Sequence, residues 1–238
     1  MKTLITRPLE NAGSSLSLLK KKGHDVIHCP LLKVEYLPHK LSCDDMGEID
    51  AFAFTSANGA RAFLRLYHAG DISKNCQIFC VGDASFQLFQ ENGFQHLFNA
   101  RGDIDALFAL LKSQVAKGKF IAHIATCDTA GDLVGKLLNA GYNAQKYILY
   151  HVQNITAFDK KTYDAFEKGE IKNILFYSPK TAKNFMNIIE NTPIDIHFKS
   201  INAYCLSDNI ANVIKKLSWE AVKIAKNPNE QSLMALLI

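Results

Sequence analysis

No apolar run in this chain approaches the roughly 20 residues needed to cross a bilayer. The opening, MKTLITRPLENAG, lacks a long apolar core and a small-residue cleavage site. A membrane span and a secretory signal are therefore not expected, and the chain reads as a soluble cytoplasmic protein. No basic run extends beyond Lys20-Lys21-Lys22, which closes a helical pattern where cations are ordinary. With 27 basic and 23 acidic residues the formal charge is only +4, too small and scattered to argue for nucleic acid, though it suits an anionic ligand. The six cysteines, Cys29, Cys43, Cys76, Cys80, Cys127 and Cys205, lack the paired spacing of metal sites and fall mostly in apolar strand patterns, so they are expected as small buried hydrophobes. There is no G-x-G-x-x-G after a strand, no G-x-x-x-x-G-K-[ST] and no G-x-S-x-G elbow, and the H-x-x-x-H spacing of His24 and His28 runs into a strand pattern rather than along a helix face, so the two rings do not converge. Dinucleotide binding, a P-loop, an α/β-hydrolase and a metal enzyme are all unsupported.

What is present is ordinary globular material for two cores: 238 residues, 48% apolar and 21% charged. Apolar β-rich runs alternate with helical patterns almost end to end, which predicts parallel sheets flanked by helices, an α/β fold. The pattern is written twice. Thr3 to Thr6, a helix face of Ala12, Leu16 and Leu19, a stop at Gly23 and a strand from Val26 to Leu32 form one unit. Phe120 to Ala125, a face of Val134, Leu137 and Leu138, a stop at Gly141 and a strand from Ala144 to Tyr150 repeat it. A second unit recurs in closer register. Phe52-Ala53-Phe54-Thr55-Ser56 leads into Ala60, Phe63, Leu64 and Tyr67. Ile174-Leu175-Phe176-Tyr177-Ser178 leads into Ala182, Phe185, Met186 and Ile189, each 122 positions after its counterpart. Ile78 to Gly82 similarly resembles Ala203 to Ser207, and the helical segments GDIDALFALL and NEQSLMALL close the two copies. An internal duplication follows. Pro30 to Pro38 and Tyr147 to Ile155 are extended enough to be crossings between domains, but periodicity leaves open whether the copies are consecutive or exchanged.

In open parallel sheets ligands bind beyond the carboxyl ends of the strands, where helix N-termini expose unpaired amides. Six turns occupy such positions: Thr6-Arg7-Pro8, Thr55-Ser56-Ala57-Asn58-Gly59, Gly82-Asp83-Ala84-Ser85, Thr126-Cys127-Asp128, Ser178-Pro179-Lys180-Thr181 and Ser207-Asp208-Asn209. Taken singly, each serine, threonine or aspartate is an ordinary helix cap. Taken together they offer many amide and hydroxyl donors to carboxylates. Arg7 could hold a carboxylate bidentately or simply be solvated. The residues themselves lead to a cofactor-free cleft, shared by two lobes, for a polar anion. An enzyme and a non-enzymatic two-lobed binding protein for a carboxylated metabolite both fit.

The ordered set of LITRP, KKGHDVIHCPLLKVE, FTSANGA, VGDAS, GDIDAL, ILYHV, FYSPKTAKNF and the tail W-x-x-V-x-I-A-x-x-P-x-x-x-x-L-x-x-x-L resembles the uroporphyrinogen-III synthase family over essentially the whole chain. The resemblance implies two Rossmann-like domains joined by a two-stranded ladder, one from residues 1–35 with 155–238 and the other from 38–150. It implies a monomer that binds hydroxymethylbilane, a linear tetrapyrrole with eight carboxylates, and closes it to uroporphyrinogen III with loss of water and inversion of ring D through a spiro intermediate. No cofactor or metal is implied. The partners are the small-molecule substrate and, transiently, hydroxymethylbilane synthase, with no nucleic acid or membrane. Tyr150 maps to the family's acid candidate, and Arg7, Thr55, Ser56, Asn58, Ser85, Ser178, Ser207 and Asn209 become the substrate-binding candidates. Two departures stand out: Ser207-Asp208-Asn209 where many members pair threonines, and Ala130 where many carry an arginine.

Overall fold

The computed structural model describes residues 2–38, 41, 48–129 and 131–237. Cys43 and Ala130 lie outside them. The chain divides into two compact units, Met1–Lys33 with Gln153–Ile238, and Val34–Val152.

The first unit carries β1 (Lys2–Ile5), α1 (Gly13–Lys21) and β2 (Asp25–His28) from the chain's beginning. Its later part supplies α6 (Lys160–Glu167), β10 (Ile171–Phe176), α7 (Pro179–Asn191), β11 (Asn202–Cys205), α8 (Asp208–Ile214), β12 (Ala221–Ile224) and α9 (Glu230–Met234). These strands form one five-stranded sheet in the order β12-β11-β10-β1-β2, all parallel. The second unit runs β4 (Ala51–Phe54), α2 (Ala57–Leu64), β5 (Gln77–Cys80), α3 (Asp83–Glu91), β6 (Leu97–Asn99), α4 (Ile104–Gln114), β7 (Phe120–Ala125), α5 (Leu133–Asn139) and β8 (Asn143–Ile148). Its sheet, in the order β6-β5-β4-β7-β8, is also parallel. The duplication is therefore spatial as well as sequential: β10, β11 and β12 stand where β4, β5 and β6 do, and β1 and β2 where β7 and β8 do. The sheets are joined by a two-stranded antiparallel ladder of β3 (Leu32–Tyr36) and β9 (Tyr150–Asn154).

The central strands are buried on both sides because helices cover both faces of each sheet. In β4, Phe52 and Phe54 point to one face with Phe63 and Phe89, while Ala51 and Ala53 point to the other with Leu107 and Leu137. The aromatic face is closely interlocked, with Phe54 and Phe89 centroids 4.5 Å apart and Phe52 and Phe63 4.8 Å apart. In the first unit Leu4, Ile174, Phe176 and Phe185 share one layer, and Ile5, Leu175, Leu19 and Leu233 the other. Gly23 (φ +80°) and Gly141 (φ +77°) end their helices in the left-handed region. There His24 N–H donates to Leu19 O and Tyr142 N–H to Leu137 O, capping orphan carbonyls.

Several expected elements shift. The strand expected from Val26 to Leu32 is two, because Pro30 has no N–H to continue the ladder, and β3 starts anew at Leu32. The strand expected from Ala144 to Tyr150 likewise divides at Leu149, whose carbonyl accepts from Leu37 N–H as the chain changes sheets. The buried face of α5 is Leu133 and Leu137, not Val134, Leu137 and Leu138. Leu138 lies one residue beyond Leu137, about 100° around the helix, and is 52% exposed. Among the described cysteines four are buried, with burial pushing the thiols up to about 11 for Cys29 and about 12 for Cys76, Cys80 and Cys205. Cys127 is exposed, since it follows β7 rather than lying within it.

Candidate functional site

Each sheet reverses its direction of growth once, between β4 and β7 in the second unit and between β1 and β10 in the first. At such switch points adjacent helices leave toward opposite faces, opening a crevice past the strands' carboxyl ends. The six hydroxyl-bearing turns distribute evenly, three on the carboxyl edge of each sheet.

In the second unit β4 ends into Thr55 and Ser56. Ser56 caps α2 in extended conformation, its Oγ accepting from Gly59 N–H at 3.0 Å. The same Oγ lies 2.8 Å from the Tyr150 hydroxyl. Tyr150 is 3% exposed, its ring packed in the aromatic core, and burial raises its pKa despite the serine contact. Gly59 packs closely against the end of β7. A Cβ there would stand 3.1 Å from Ile124 O and 3.7 Å from Tyr150 Cε1. Thr55 Oγ1 lies 3.0 Å from Nε2 of His123, which is 1% exposed. Burial first, then the Lys146 ammonium, lowers that imidazole's pKa to about 4, so it is neutral at pH 7. Beside them Cys127 Sγ is 3.7 Å from His151 Nδ1, and Lys146 Nζ donates to Cys127 O.

In the first unit β1 runs into Thr6, whose buried hydroxyl donates to Leu175 O at 2.7 Å and ties the two strands at the switch point. Arg7 lies over the Tyr177 ring, 4.3 Å from its centroid, with Nη1 3.3 Å from Glu230 Oε2. Ser14 Oγ donates to Glu230 Oε1 at 2.8 Å, and buried Ser15 donates to the same oxygen. Tyr177 OH donates to Ser15 Oγ at 3.0 Å, and burial pushes that phenol up to about 12.

The residues expected at the site take different positions. Tyr150, Ser56 and Thr55 lie together at the β4/β7 switch point, with Asn58 in the first turn of α2, where its Oδ1 accepts from Arg61. Ser178 caps α7, accepting from Thr181 N–H at 3.1 Å. Ser85 is buried, and its hydroxyl donates to Gly82 O at 3.1 Å. Ser207 begins α8 without a side-chain cap bond, and Asp208 and Asn209 are exposed. Sequence reasoning missed His123, Ser14, Ser15, Tyr177 and Glu230. An isolated histidine in an apolar strand carries no motif. The serine pair had one available signal: it opens a helix whose N-cap, Ala12, has no capping side chain. Among the described residues no group of His, Cys, Asp and Glu could hold a metal ion, and no helix is long and apolar enough to cross a membrane.

This architecture has relatives. A protein of Ruminiclostridium josui described as porphyrin biosynthesis protein HemD is 24% identical over 99% of this chain, although the chain spans only 48% of that relative's length. A putative uroporphyrinogen-III synthase of Methanocaldococcus jannaschii is 26% identical over 92% of this chain and 91% of its own. The fold of uroporphyrinogen-III synthetase from Helicobacter pylori matches with a TM-score of 0.65 at 15% identity, covering 100% of this chain and 98% of that one. A mutant uroporphyrinogen III synthase from Thermus thermophilus matches with a TM-score of 0.59 at 16% identity, over 100% of this chain and 98% of its own. The model of the uroporphyrinogen-III synthase HemD family matches residues 15–235, and the chain belongs to that family.

Proposed function

We propose that the protein closes hydroxymethylbilane to uroporphyrinogen III. Loss of the terminal hydroxyl as water leaves an azafulvene cation on ring A. Ring D attacks it through its substituted carbon, and the spiro intermediate fragments and recloses with that ring inverted. The observation that carries the reading is the Ser56–Tyr150 pair at the second unit's switch point, in a chain of this family.

The chemistry follows from the hydrogen bonds. Ser56 Oγ accepts from Gly59 N–H, and in its contact with Tyr150 Oη either hydroxyl can donate; with substrate bound, Ser56 is proposed as the donor. The phenol proton is then left for the departing hydroxyl, and Tyr150, with its raised pKa, is fully protonated at pH 7. Most of the task is conformational. A flexible octacarboxylate closes fastest through its unhindered end to the type I isomer unless it is held curled. Arg7, Asn58, Ser178, Ser207 and Asn209 are proposed as carboxylate donors along the two rims, with Thr55 held by His123 and Ser85 supporting its turn. The substrate would be the sole small-molecule partner, met by a monomer in the cytoplasm, with hydroxymethylbilane synthase in transient contact to supply it.

The test is to generate hydroxymethylbilane in situ, add the protein, oxidise and resolve the porphyrin isomers. Type III product is expected. Type I product at the uncatalysed rate overturns the reading and leaves a carboxylate-binding module.

A further inference from the structure

α1 and α9 lie on the same face of the first unit's sheet, sharing a core layer through Ala12, Leu19, Leu233 and Met234. Their N-termini meet at the β1/β10 switch point. There Glu230, the first residue of α9, sends its carboxylate to the uncapped start of α1. It is received by Ser14, by the fully buried Ser15, which is braced in turn by Tyr177, and by the Arg7 guanidinium.

The donor set is that of an anion site: two hydroxyls, a helix N-terminus and a guanidinium on an aromatic face. A carboxylate is already in it. Yet Glu230 does not satisfy the set. Nε and Nη1 of Arg7 are both shielded from solvent and neither makes an aligned hydrogen bond, the 3.3 Å approach of Nη1 to Glu230 being an ion pair without alignment. In its present pose, held by Ser14 and Ser15 through Oε1, Glu230 does not face the fork, whereas a free carboxylate can engage it bidentately.

We propose that Arg7, Ser14, Ser15 and Tyr177 form a carboxylate-binding site whose resident occupant is Glu230, displaced when a carboxylate of the ligand enters. This rests on the reading that the ligand is a polycarboxylate. Exchange of one carboxylate for another keeps the site's charge constant. Glu230 thereby excludes neutral ligands and weakens binding of acidic ones by competition.

The experiment titrates the full-length protein with tricarballylate, a small tricarboxylate, while the Gly13, Ser14 and Ser15 amide resonances are followed by NMR. Glu230→Gln is expected to tighten binding about fivefold, the contribution of a partly exposed ion pair. Arg7→Lys is expected to abolish most of the response. Equal or weaker binding by a folded Glu230→Gln, or shifts confined to other residues, overturns the proposal. Should Glu230→Gln fail to fold, Glu230→Asp, which withdraws the carboxylate by one methylene, must tighten binding in the same sense. With hydroxymethylbilane, Glu230→Gln is expected to lower KM by a similar factor. If the wild-type protein forms no type III isomer, the assigned reaction is wrong, and the tricarballylate titration still decides the site.

Discussion

The phenol of Tyr150 and the imidazole of His123 are both enclosed in the second unit, and enclosure keeps both neutral at pH 7, raising one pKa and lowering the other. For Tyr150 this preserves a transferable proton. Tyr150→Phe is expected to slow type III formation by roughly tenfold to a hundredfold, the low end for a positioned acid because the pyrrole itself activates the leaving group. Stability should fall by no more than about 1 kcal/mol for the lost serine contact, and an unchanged rate removes Tyr150 as the acid. For His123 the consequence is a pH dependence. The folded protein resists protonating a group whose pKa drops from 6.5 to about 4. The stability this contributes is complete above pH 6.5 and is lost as pH falls toward 4. About 2 kcal/mol should disappear between pH 7 and 5. Urea midpoints across that range measure it, and His123→Gln should flatten the slope whatever its absolute cost. A slope unchanged in the variant shows that other groups carry it.

Among the elements, the crossing strands depend on a side chain outside them. Asn184, on the buried face of α7, donates to Leu31 O at 2.6 Å and to Ile155 O at 2.8 Å, the carbonyls flanking β3 and β9 where each meets the first unit. Asn184→Leu takes the side-chain donor from Ile155 O and leaves Leu31 O with the Ile155 N–H alone, and should cost about 1–3 kcal/mol in chemical denaturation, against under about 0.5 kcal/mol for the exposed neighbour Lys183→Ala. The corrected face of α5 is checked in the same way. Leu137→Ala should cost about 2–5 kcal/mol, while Leu138→Lys should be nearly neutral. Strands such as β4, β7 and β10 were legible because both of their faces are covered, which leaves a continuous apolar run. β12 was not, since three of its four residues are exposed and no pattern remains. β6 has only three residues, all half-buried. Helix α6 has only Thr162, Ala165 and Phe166 facing the core, too narrow a stripe among charged neighbours to read with assurance. The site was legible wherever a hydroxyl follows a strand, as at Ser56 and Ser178. It was hidden wherever a partner comes from far along the chain, as Glu230 does for Ser14, because spacing carries no sign of such a pairing.

At the scale of the whole molecule, one arrangement of strands is reached by two chain orders. The second unit is contiguous, whereas the first pairs Leu4 with Ile174 across the whole of the second unit. Closing so long a loop slows folding. In refolding followed by pulsed hydrogen exchange, amides of β4, β5 and β7 are expected to be protected before those of β1. Simultaneous protection would show that the two sheets form together. The same connectivity has a meaning during synthesis, which proceeds from one end only. When Val152 leaves the ribosome, every strand of the second sheet has been made, while β1 and β2 still have no neighbour but each other. Leu4, Ile5 and Ile27, almost entirely enclosed at the end, must wait uncovered until β10 emerges, and a nascent-chain chaperone would find its binding segment there.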